Sequence, residues 1–296
     1  MPSLVKFRNK YNPFEKLLNS LLRRALFRNR DKFHNQNLPS YIGMLNEYIS
    51  IDILTEGAYD MKSMNEILQV LRSDLIDFKF DTLIDIGANI GNHSMYFSRY
   101  FKKVIAFEPN PLTYGILKLN ASFATNIETI NLGLSSKPGS LYLSEDTRNL
   151  GGSQIYLNKG DIPLNLTVRD INLVRLDDFI SDDCGQGILI KIDVEGHELE
   201  ALEGAHAFIS KNNPVICFEQ HQDDFIDSST PTIMYLAAMG YEFYLFKSSY
   251  DKIKVRFLKP ILKSLFGDSH QLEKIEMFEP CFYDSIIAIH KNSIVS

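Results

Sequence analysis

The sequence predicts a doubly wound α/β domain whose sheet is mostly parallel, and two observations support this. From about residue 60, short apolar segments alternate with segments of helical periodicity. The apolar segments contain few polar positions, which is typical of parallel strands that helices cover on both faces. We expect the last two strands, 243–246 and 285–289, to pair antiparallel, and ligands to bind beyond the carboxyl ends of the parallel strands.

The predicted elements follow in order along the chain. A helix over Met61–Leu71 carries apolar residues at helical spacing and precedes the strand Thr82–Ile86. Pro111 suits the first turn of a helix that ends at Ala121, and Gly240 suits the end of a helix that begins at Thr232. Further strands are predicted at 104–107, 127–132, 140–143, 188–192 and 215–218. A strand that leads into a short helix is predicted at 174–180, and further helices are predicted at 95–100 and 198–209.

The composition is that of a large globular protein. Its 296 residues are 45% hydrophobic and 23% charged, which excludes a small scaffold held together by disulfides. Cys184, Cys217 and Cys281 are far apart, which argues against a disulfide framework or a thiolate zinc site. No apolar run approaches the roughly 20 residues that span a bilayer, and the amino terminus lacks a signal peptide's apolar stretch. We therefore expect a cytoplasmic protein.

Charge is unevenly distributed along the chain. The formal net charge is −6, yet residues 1–37 contain nine basic and two acidic residues, so that residues 38–296 carry −13. Residues 38–296 are acidic enough to repel polyanions, because like charges raise the free energy of association. We therefore expect no nucleic-acid partner.

The basic amino terminus belongs to a predicted helical extension over residues 1–56, and a single domain is predicted over residues 57–296. Residues 14–33 have the apolar spacing of an amphipathic helix. We expect this helix to pack against the domain or a partner subunit, and peripheral contact with the inner face of an anionic membrane is the alternative. Residues 248–280 interrupt the last two strands and are a candidate lid or acceptor-binding insertion.

The strongest local motif is a glycine turn after the first strand. It reads Asp85-Ile-Gly-Ala-Asn-Ile-Gly91 and leads into a helix that starts with Asn92-His-Ser94. Glycines let the backbone turn sharply and approach a ligand, and free N–H groups at the helix start can bind a carboxylate. The spacing lacks the middle glycine of a dinucleotide fingerprint. An ordinary strand-to-helix turn is the alternative.

An acidic residue closes the next strand, in the segment Phe107-Glu-Pro-Asn110. A carboxylate at this position can accept hydrogen bonds from two ribose hydroxyls, and a solvated surface charge is the alternative. With a glycine turn, an acid and no cradle for a pyrophosphate, the two motifs favour a nucleoside that carries an amino acid. S-adenosylmethionine fits this description better than a nicotinamide cofactor, so that a nicotinamide-dependent oxidoreductase is the less favoured enzyme.

A third polar motif, Lys191-Ile-Asp-Val-Glu-Gly-His-Glu198, directly follows the strand 188–192. Unpaired charges are poor core material, and Asp193 and Glu195 alternate with Val194, so that both can face a cleft. Glu198 is equally well explained as an acid that complements the dipole of the next helix.

Four segments resemble motifs of the FkbM family of S-adenosylmethionine-dependent methyltransferases, namely Asp85–Ser94, Phe107–Asn110, Leu176–Asp178 and Ile190–Glu198. The resemblance extends from about Gly57 to Ile289 and includes Gly57–Asp60, a loop at Asn149–Ser153 and the strand Pro214–Glu219. It implies the Rossmann-like, seven-stranded, mostly parallel sheet of class I methyltransferases. It also implies O-methylation of a hydroxyl on a sugar, a glycan or a related small molecule, while the oligomeric state stays open. A partner-binding module without catalysis is a further alternative.

The expected cofactor site follows from these motifs. We expect the glycine turn and the helix start to hold the methionine moiety, Glu108 to hold the ribose, and Asp193 to face the sulfonium or the acceptor. Asn110 and the turn at Leu132 and Gly133 are expected to flank the adenine. The complete predicted set is Asp85, Gly87, Ala88, Asn89, Gly91, Asn92, His93, Ser94, Glu108, Pro109, Asn110, Leu132, Gly133 and Asp193.

The predicted catalytic residues are His221, Glu195 and Asp193. An alcohol acceptor benefits from a nearby base, and the candidates are His221, Glu219, Glu195 and His197. We place His221 slightly ahead of Glu195, because an imidazole exchanges protons near neutral pH. No metal is predicted, and magnesium or manganese held by the same acids and His221 is the less favoured alternative.

Overall fold

The computed structural model of the protein describes residues 13–44, 48–73, 75–146, 149–156, 160, 163, 166–180, 184–248 and 270–295. The strands are β1 (Thr82–Ile86), β2 (Lys103–Phe107), β3 (Ile127–Ile130), β4 (Gly133–Leu134), β5 (Gly139–Asp146), β6 (Asn149–Tyr156), β7 (Thr167–Val174), β8 (Ile188–Ile192), β9 (Val215–Gln220), β10 (Tyr241–Ser248), β11 (His270–Ile275) and β12 (Tyr283–His290). The α-helices are α1 (Pro13–Asn35), α2 (Tyr48–Glu56), α3 (Met61–Leu71), α4 (Asn92–Phe97), α5 (Pro111–Ala121), α6 (Leu176–Phe179), α7 (Glu198–Glu203), α8 (His206–Asn212) and α9 (Pro231–Ala238).

The main sheet has the order β11-β10-β12-β9-β8-β1-β2-β3. Its five strands from β9 to β3 pair in parallel, and β12 pairs antiparallel with both β9 and β10. This confirms the doubly wound class and the antiparallel pairing of the last two predicted strands. Strands β10, β12 and the parallel five make up the seven expected strands, and β11 adds an eighth at the edge. None of the helices in the described ranges is both long and apolar enough to span a bilayer.

Both faces of the main sheet are buried, as the apolar strands predict. All five residues of β1 and all five of β8 are buried. Successive residues of β1 enter separate core clusters, because side chains alternate across a strand: Leu83 lies in the cluster of Phe97, and Ile84 lies in that of Phe218. Burying each such side chain stabilises the fold by about 1.5–3 kcal/mol.

A second sheet, which was not predicted as a separate unit, has the order β4-β7-β5-β6. The predicted strand 127–132 ends at Ile130, and the segment 140–143 lies in β5 of this second sheet. The expected loop at Asn149–Ser153 lies in β6 instead. The insertion 248–280 contains the edge strand β11 at its end, and its residues 249–269 lie outside the described part of the chain.

Several helix boundaries differ from the prediction for identifiable reasons. The predicted helix 198–209 is split into α7 and α8 around Gly204, where an added Cβ would collide with the carbonyl oxygen of Ser135. Helix α5 has the predicted bounds, because the Asn110 side chain accepts from the Leu112 N–H at 3.0 Å and Pro111 occupies the first turn. Helix α4 starts at Asn92, as the glycine-turn motif predicted, and ends at Phe97, three residues before the predicted end at Tyr100.

A buried amide on α5 helps to attach the amino-terminal segment to the domain. Asn120 on α5 is buried, and its Nδ2 donates to the carbonyl oxygens of Ile42 at 3.0 Å and Ile90 at 2.7 Å. Its Oδ1 accepts from the Ile42 N–H at 2.6 Å. One side chain therefore pairs backbone groups from the glycine turn and from the segment between α1 and α2.

We expect Asn120→Ala to lower the free energy of unfolding by about 2–3 kcal/mol, because three hydrogen bonds are lost and buried backbone groups are left unpaired. Urea unfolding followed by circular dichroism measures this change. The control is Leu119→Ala on the same helix, whose side chain is 53% exposed and whose loss should cost about 0.5 kcal/mol or less. Equal effects of the two substitutions would contradict the anchoring role.

Candidate active site

A cavity of about 350 Å³ opens at the carboxyl ends of β1, β2 and β8. This is the edge where the parallel strands were expected to gather the three polar motifs. The predicted site residues that line the cavity are Gly87, Ala88, Asn89, Asn92, His93, Glu108, Pro109, Asn110, Gly133, Asp193 and Glu195.

The glycine turn brings the backbone of β1 against the loop that follows β8. Gly87 has φ +79°, and a Cβ there would collide with the carbonyl oxygen of Asp193, so that only glycine fits. Asn89 adopts the left-handed conformation with φ +50°, and its buried Oδ1 has no hydrogen-bond partner in the described structure. A buried acceptor without a partner is costly, which fits a ligand whose N–H or O–H group completes the site.

Glu108 is held at the cavity by three donors. Its Oε1 accepts from the Asn110 N–H at 2.8 Å and the Thr113 hydroxyl at 2.9 Å, and its Oε2 accepts from the Asn89 N–H at 2.8 Å. Burial outweighs these hydrogen bonds and raises the pKa of Glu108 to about 7. Three of the carboxylate's roughly four lone-pair sites are thus occupied, and Oε2 keeps one for a ribose hydroxyl.

A buried ammonium group lies beneath the cavity. Lys191 Nζ is 3.1 Å from Asp193 Oδ2 and 3.7 Å from Asp85 Oδ1. Burial disfavours the charged form of Lys191, but the negative charges of Asp193 and Asp85 outweigh this effect and raise the pKa of Lys191 above its usual range. Burial likewise opposes the charge of Asp193, whose pKa is nevertheless lowered by Lys191. Asp193 is therefore an ionised carboxylate next to the predicted methyl donor.

Three of the four candidate bases lie together beside the cavity: Glu219 and Glu195 line it, and His221, which is not among the lining residues, contacts both. His221 Nε2 is 3.1 Å from Glu219 Oε1 and 3.5 Å from Glu195 Oε2. Burial raises the pKa of Glu219 to about 8, with further contributions from the charges of Asp193 and Glu195. Ligand atoms of the three residues lie within 4.8 Å of one another, which is close enough for a divalent cation. The arrangement suits either proton transfer or metal binding.

The fourth candidate base and Glu198 have structural partners. His197 Nε2 lies 3.0 Å from the Ser135 hydroxyl, and burial lowers the pKa of His197. Glu198 accepts from the backbone N–H groups of Gly196 at 3.2 Å and Val194 at 3.4 Å. Glu198 therefore holds the loop that precedes α7. This agrees with the alternative explanation, in which Glu198 acts at the start of that helix.

Four predicted cofactor residues lie behind the residues that line the cavity. Asp85 is fully buried, and its Oδ2 accepts from the Ser94 hydroxyl at 2.5 Å. Gly91 packs against the Leu117 side chain, and Leu132 packs on the hydrophobic core. These positions support the site from below.

The structure adds cavity residues that the sequence did not single out. Lys191 belongs to the polar motif 191–198 and Tyr59 to the segment Gly57–Asp60, so the sequence contained an indication of both residues. It contained no indication of Tyr48 from α2 or of Phe282 from the segment before β12. Because α2 contributes to the cavity, the site includes residues on both sides of the predicted domain boundary after residue 56, and that boundary stays a prediction.

Comparisons with known proteins agree with this architecture. The model of the methyltransferase FkbM domain matches residues 85–243. A hexuronic acid methyltransferase, AglP, of Haloferax volcanii is 30% identical over 158 residues, which are 53% of this chain and 62% of that protein. Methyltransferase sdnD of Sordaria araneosa is 31% identical over 153 residues, or 41% of this chain and 59% of that protein. The chain thus matches about three fifths of the length of these relatives.

Solved structures are also similar. The FkbM methyltransferase of Methylobacillus flagellatus KT aligns with 89% of this chain and 59% of its own at 18% identity, with a TM-score of 0.41. An O-methyltransferase of Bacillus cereus in complex with SAH aligns with 90% of this chain and 91% of its own at 12% identity, with a TM-score of 0.38.

We expect the affinity for S-adenosylhomocysteine to rise about tenfold from pH 6 to pH 8, because ionised Glu108 keeps one Oε2 lone pair for a ribose hydroxyl and its ionised fraction grows across its pKa of about 7. Below that pKa the protonated carboxyl loses one acceptor, so the affinity falls. Calorimetric titration at a series of pH values measures this.

Glu108→Gln should bind more weakly and show no such pH dependence. Glu128→Gln, an exposed carboxylate on β3, is the matched control and should keep the wild-type profile. A flat wild-type profile would contradict the assignment of Glu108 to the ribose.

Proposed function

Since the chain belongs to the FkbM methyltransferase family, we propose that it transfers the methyl group of S-adenosylmethionine to a hydroxyl of a sugar, a glycan or a related small molecule. The observation that carries this proposal is that Gly87, Glu108 and Asp193, from three neighbouring strand ends, line one cavity. The name of the Haloferax volcanii relative, a hexuronic acid methyltransferase, supports a carbohydrate acceptor.

The residues of the cavity fit this donor. The Gly87 turn and the unpaired Oδ1 of Asn89 suit the methionine moiety, Glu108 suits the ribose, and Asn110 and Gly133 line the side expected for the adenine. When bound, S-adenosylmethionine supplies an electrophilic methyl group on a positively charged sulfur. Asp193 is the ionised group that complements such a charge.

His221 is the proposed proton acceptor for the acceptor's hydroxyl. The oxygen becomes a stronger nucleophile as it loses its proton, and a positioned base typically contributes about 10²–10⁴ in rate. Glu219 and Glu195 lie on either side of His221 Nε2 at 3.1 and 3.5 Å. The Glu195 carboxylate, and Glu219 once it is ionised above its pKa of about 8, stabilise the imidazolium that forms, since opposite charges attract strongly at partly buried positions.

The direct test is incubation with tritiated S-adenosylmethionine and a cell extract, followed by identification of the labelled molecule. We expect the label in a methyl ether on a carbohydrate-type compound. Calorimetry should show binding of S-adenosylmethionine and S-adenosylhomocysteine and none of NAD. Binding of NAD alone would favour an oxidoreductase, and binding of none of the three would favour a partner-binding module.

With the labelled acceptor in hand, His221→Ala and Glu195→Gln should each lower kcat by about 10²-fold, the size of a lost general base or its partner. Affinity for S-adenosylhomocysteine should stay within about twofold, because neither residue is assigned to the donor. Single-turnover kinetics and calorimetry measure the two quantities.

His206→Ala is the control histidine, since His206 bonds Tyr235 away from the cavity and its loss should leave kcat unchanged. Unchanged rates in both site variants would overturn the assignment. Activity that is lost with EDTA and restored by magnesium would instead assign Glu195, Glu219 and His221 to a cation.

We also propose peripheral contact of helix α1 with an anionic membrane. Four apolar side chains at i, i+1, i+4 and i+5 are 53–59% exposed, namely Leu17, Leu18, Leu21 and Leu22. The helix also carries six basic and two acidic residues. The sequence favoured packing of this helix on the domain or on a partner subunit, yet these four leucines are largely exposed in the described part of the chain, and the helix's positive charge complements anionic lipid.

Flotation of the full-length protein with vesicles tests this contact. We expect flotation with vesicles of phosphatidylglycerol and phosphatidylcholine, little with phosphatidylcholine alone, and loss of flotation in the double variant Leu17→Glu and Leu21→Glu. The matched control, Asn19→Glu with Ser20→Glu, adds the same charge off the apolar face. Absence of flotation, or a dimer in solution that the Leu17 and Leu21 variant abolishes, would contradict the proposal.

A further inference from the structure

A second cavity, of about 370 Å³, adjoins the first. It lies between α2, α3 and the carboxyl ends of β8 and β9, and the segment that leads into β12 closes it. Seven residues line both cavities, namely Tyr48, Tyr59, His93, Lys191, Asp193, Glu219 and Phe282. The shared residues include the ionised carboxylate assigned to the donor and the acid that contacts His221. A hydroxyl held in the second cavity would therefore meet the donor's methyl group and the base at this junction.

We propose that the second cavity is the acceptor site and that it takes a sugar ring without a carboxylate or phosphate. This inference rests on the proposed methyltransferase function and names its substrate class. It differs from the substrate named for the Haloferax volcanii relative, a hexuronic acid.

The charges around the cavity carry the inference. Asp52, Asp60 and Asp284 line it together with Asp193 and Glu219. Among the described residues that line it, Lys191 is the cationic one, and its charge is already matched by Asp85 and Asp193 at 3.7 and 3.1 Å. In the described part of the chain, an anionic ring would therefore meet the carboxylates of Asp52, Asp193 and Asp284 and no lining cation whose charge is unmatched, which costs free energy at partly buried positions.

The neighbouring titratable groups do not reverse this balance. Burial lowers the pKa of His93 to about 4, so that its imidazole is neutral at physiological pH. Burial raises the pKa of Asp60, and the charge of Asp284 raises it further, which indicates that the two carboxyls sense one another. Protonated or ionised, Asp60 still offers oxygen acceptors to sugar hydroxyls.

The shape of the rim also suits a sugar. Tyr48 and Phe282 line both cavities with side chains that are 65% and 53% exposed. Phe282 lies 5.4 Å from His221 between ring centroids. An aromatic face can cover the apolar face of a pyranose while carboxylates and hydroxyls such as those of Asp60 and Ser63, which are hydrogen-bonded at 2.8 Å, contact its edge.

Calorimetry in the presence of saturating S-adenosylhomocysteine tests the preference. The probes are matched pairs of p-nitrophenyl glycosides and the corresponding uronides in the gluco, galacto and manno series. We expect at least one neutral glycoside to bind about tenfold or more tightly than its uronide, and the ratio to shrink between about 0.05 and 0.5 M salt as the carboxylates are screened.

Asp284→Asn should reduce the ratio about threefold or more without changing the affinity for S-adenosylhomocysteine, because one repelling charge is removed from an exposed position. Glu128→Gln on β3 is the control and should leave the ratio unchanged. A ratio near one, a preference for any uronide, or no binding of any neutral glycoside by the S-adenosylhomocysteine complex overturns this inference. Failure to bind S-adenosylhomocysteine at all overturns the proposed function instead.

Discussion

The buried ammonium of Lys191 is the interaction on which the site depends. Asp85 and Lys191 are register partners on the parallel strands β1 and β8, and Asp193 follows two residues later. Asp85 also accepts from Ser94 on α4, and the carbonyl of Asp193 leaves room only for glycine at position 87. One ion cluster therefore fixes the glycine turn, the start of α4 and the acidic loop. Such clusters persist because loss of a partner leaves a buried charge uncompensated, at a cost of about 3–5 kcal/mol.

Backbone conformation around the cavities shows a second constraint. Three non-glycine residues that line them, Asp60, Asn89 and Glu195, adopt positive φ of 49°, 50° and 54°. Each costs about 1–2 kcal/mol relative to ordinary backbone, although Asn and Asp tolerate this region better than Glu does. Each residue lies where the chain turns between a strand or loop and the next helix, and the turn presents its polar side chain to a cavity. Of the seven non-glycine residues with positive φ in the described chain, these three lie at the proposed site, while Asn37, Phe80, Asn213 and Asp227 line neither cavity.

The sequence predicted the parts of the site that depend on local pattern. Strand β1 is apolar because it is buried on both faces, and Gly87, Glu108 and Asp193 were found because each directly follows such a strand. The second sheet was missed, since the partly exposed residues of β7 give a weak pattern and its pairing with β5 spans distant segments. Tyr48 and Phe282 reach the cavities through tertiary contacts alone. Leu132 was misassigned to the cavity because β3 ends at Ile130, and the chain then turns that side chain into the core.

Catalysis and acceptor choice are linked in this arrangement. In the proposed mechanism the Glu195 carboxylate stabilises an imidazolium on His221, and it belongs to the same negative field as Asp193 and Asp284 beside the proposed acceptor cavity. That field favours proton transfer from an alcohol to the imidazole, and it disfavours any acceptor that brings its own negative charge to the junction. An enzyme of this design that methylates an anionic sugar needs an added cation facing the acceptor cavity. In the proposed arrangement, the residues that face the base therefore determine which charge on the acceptor is tolerated. The residues that bind the donor, such as Gly87 and Glu108, need not differ between such enzymes.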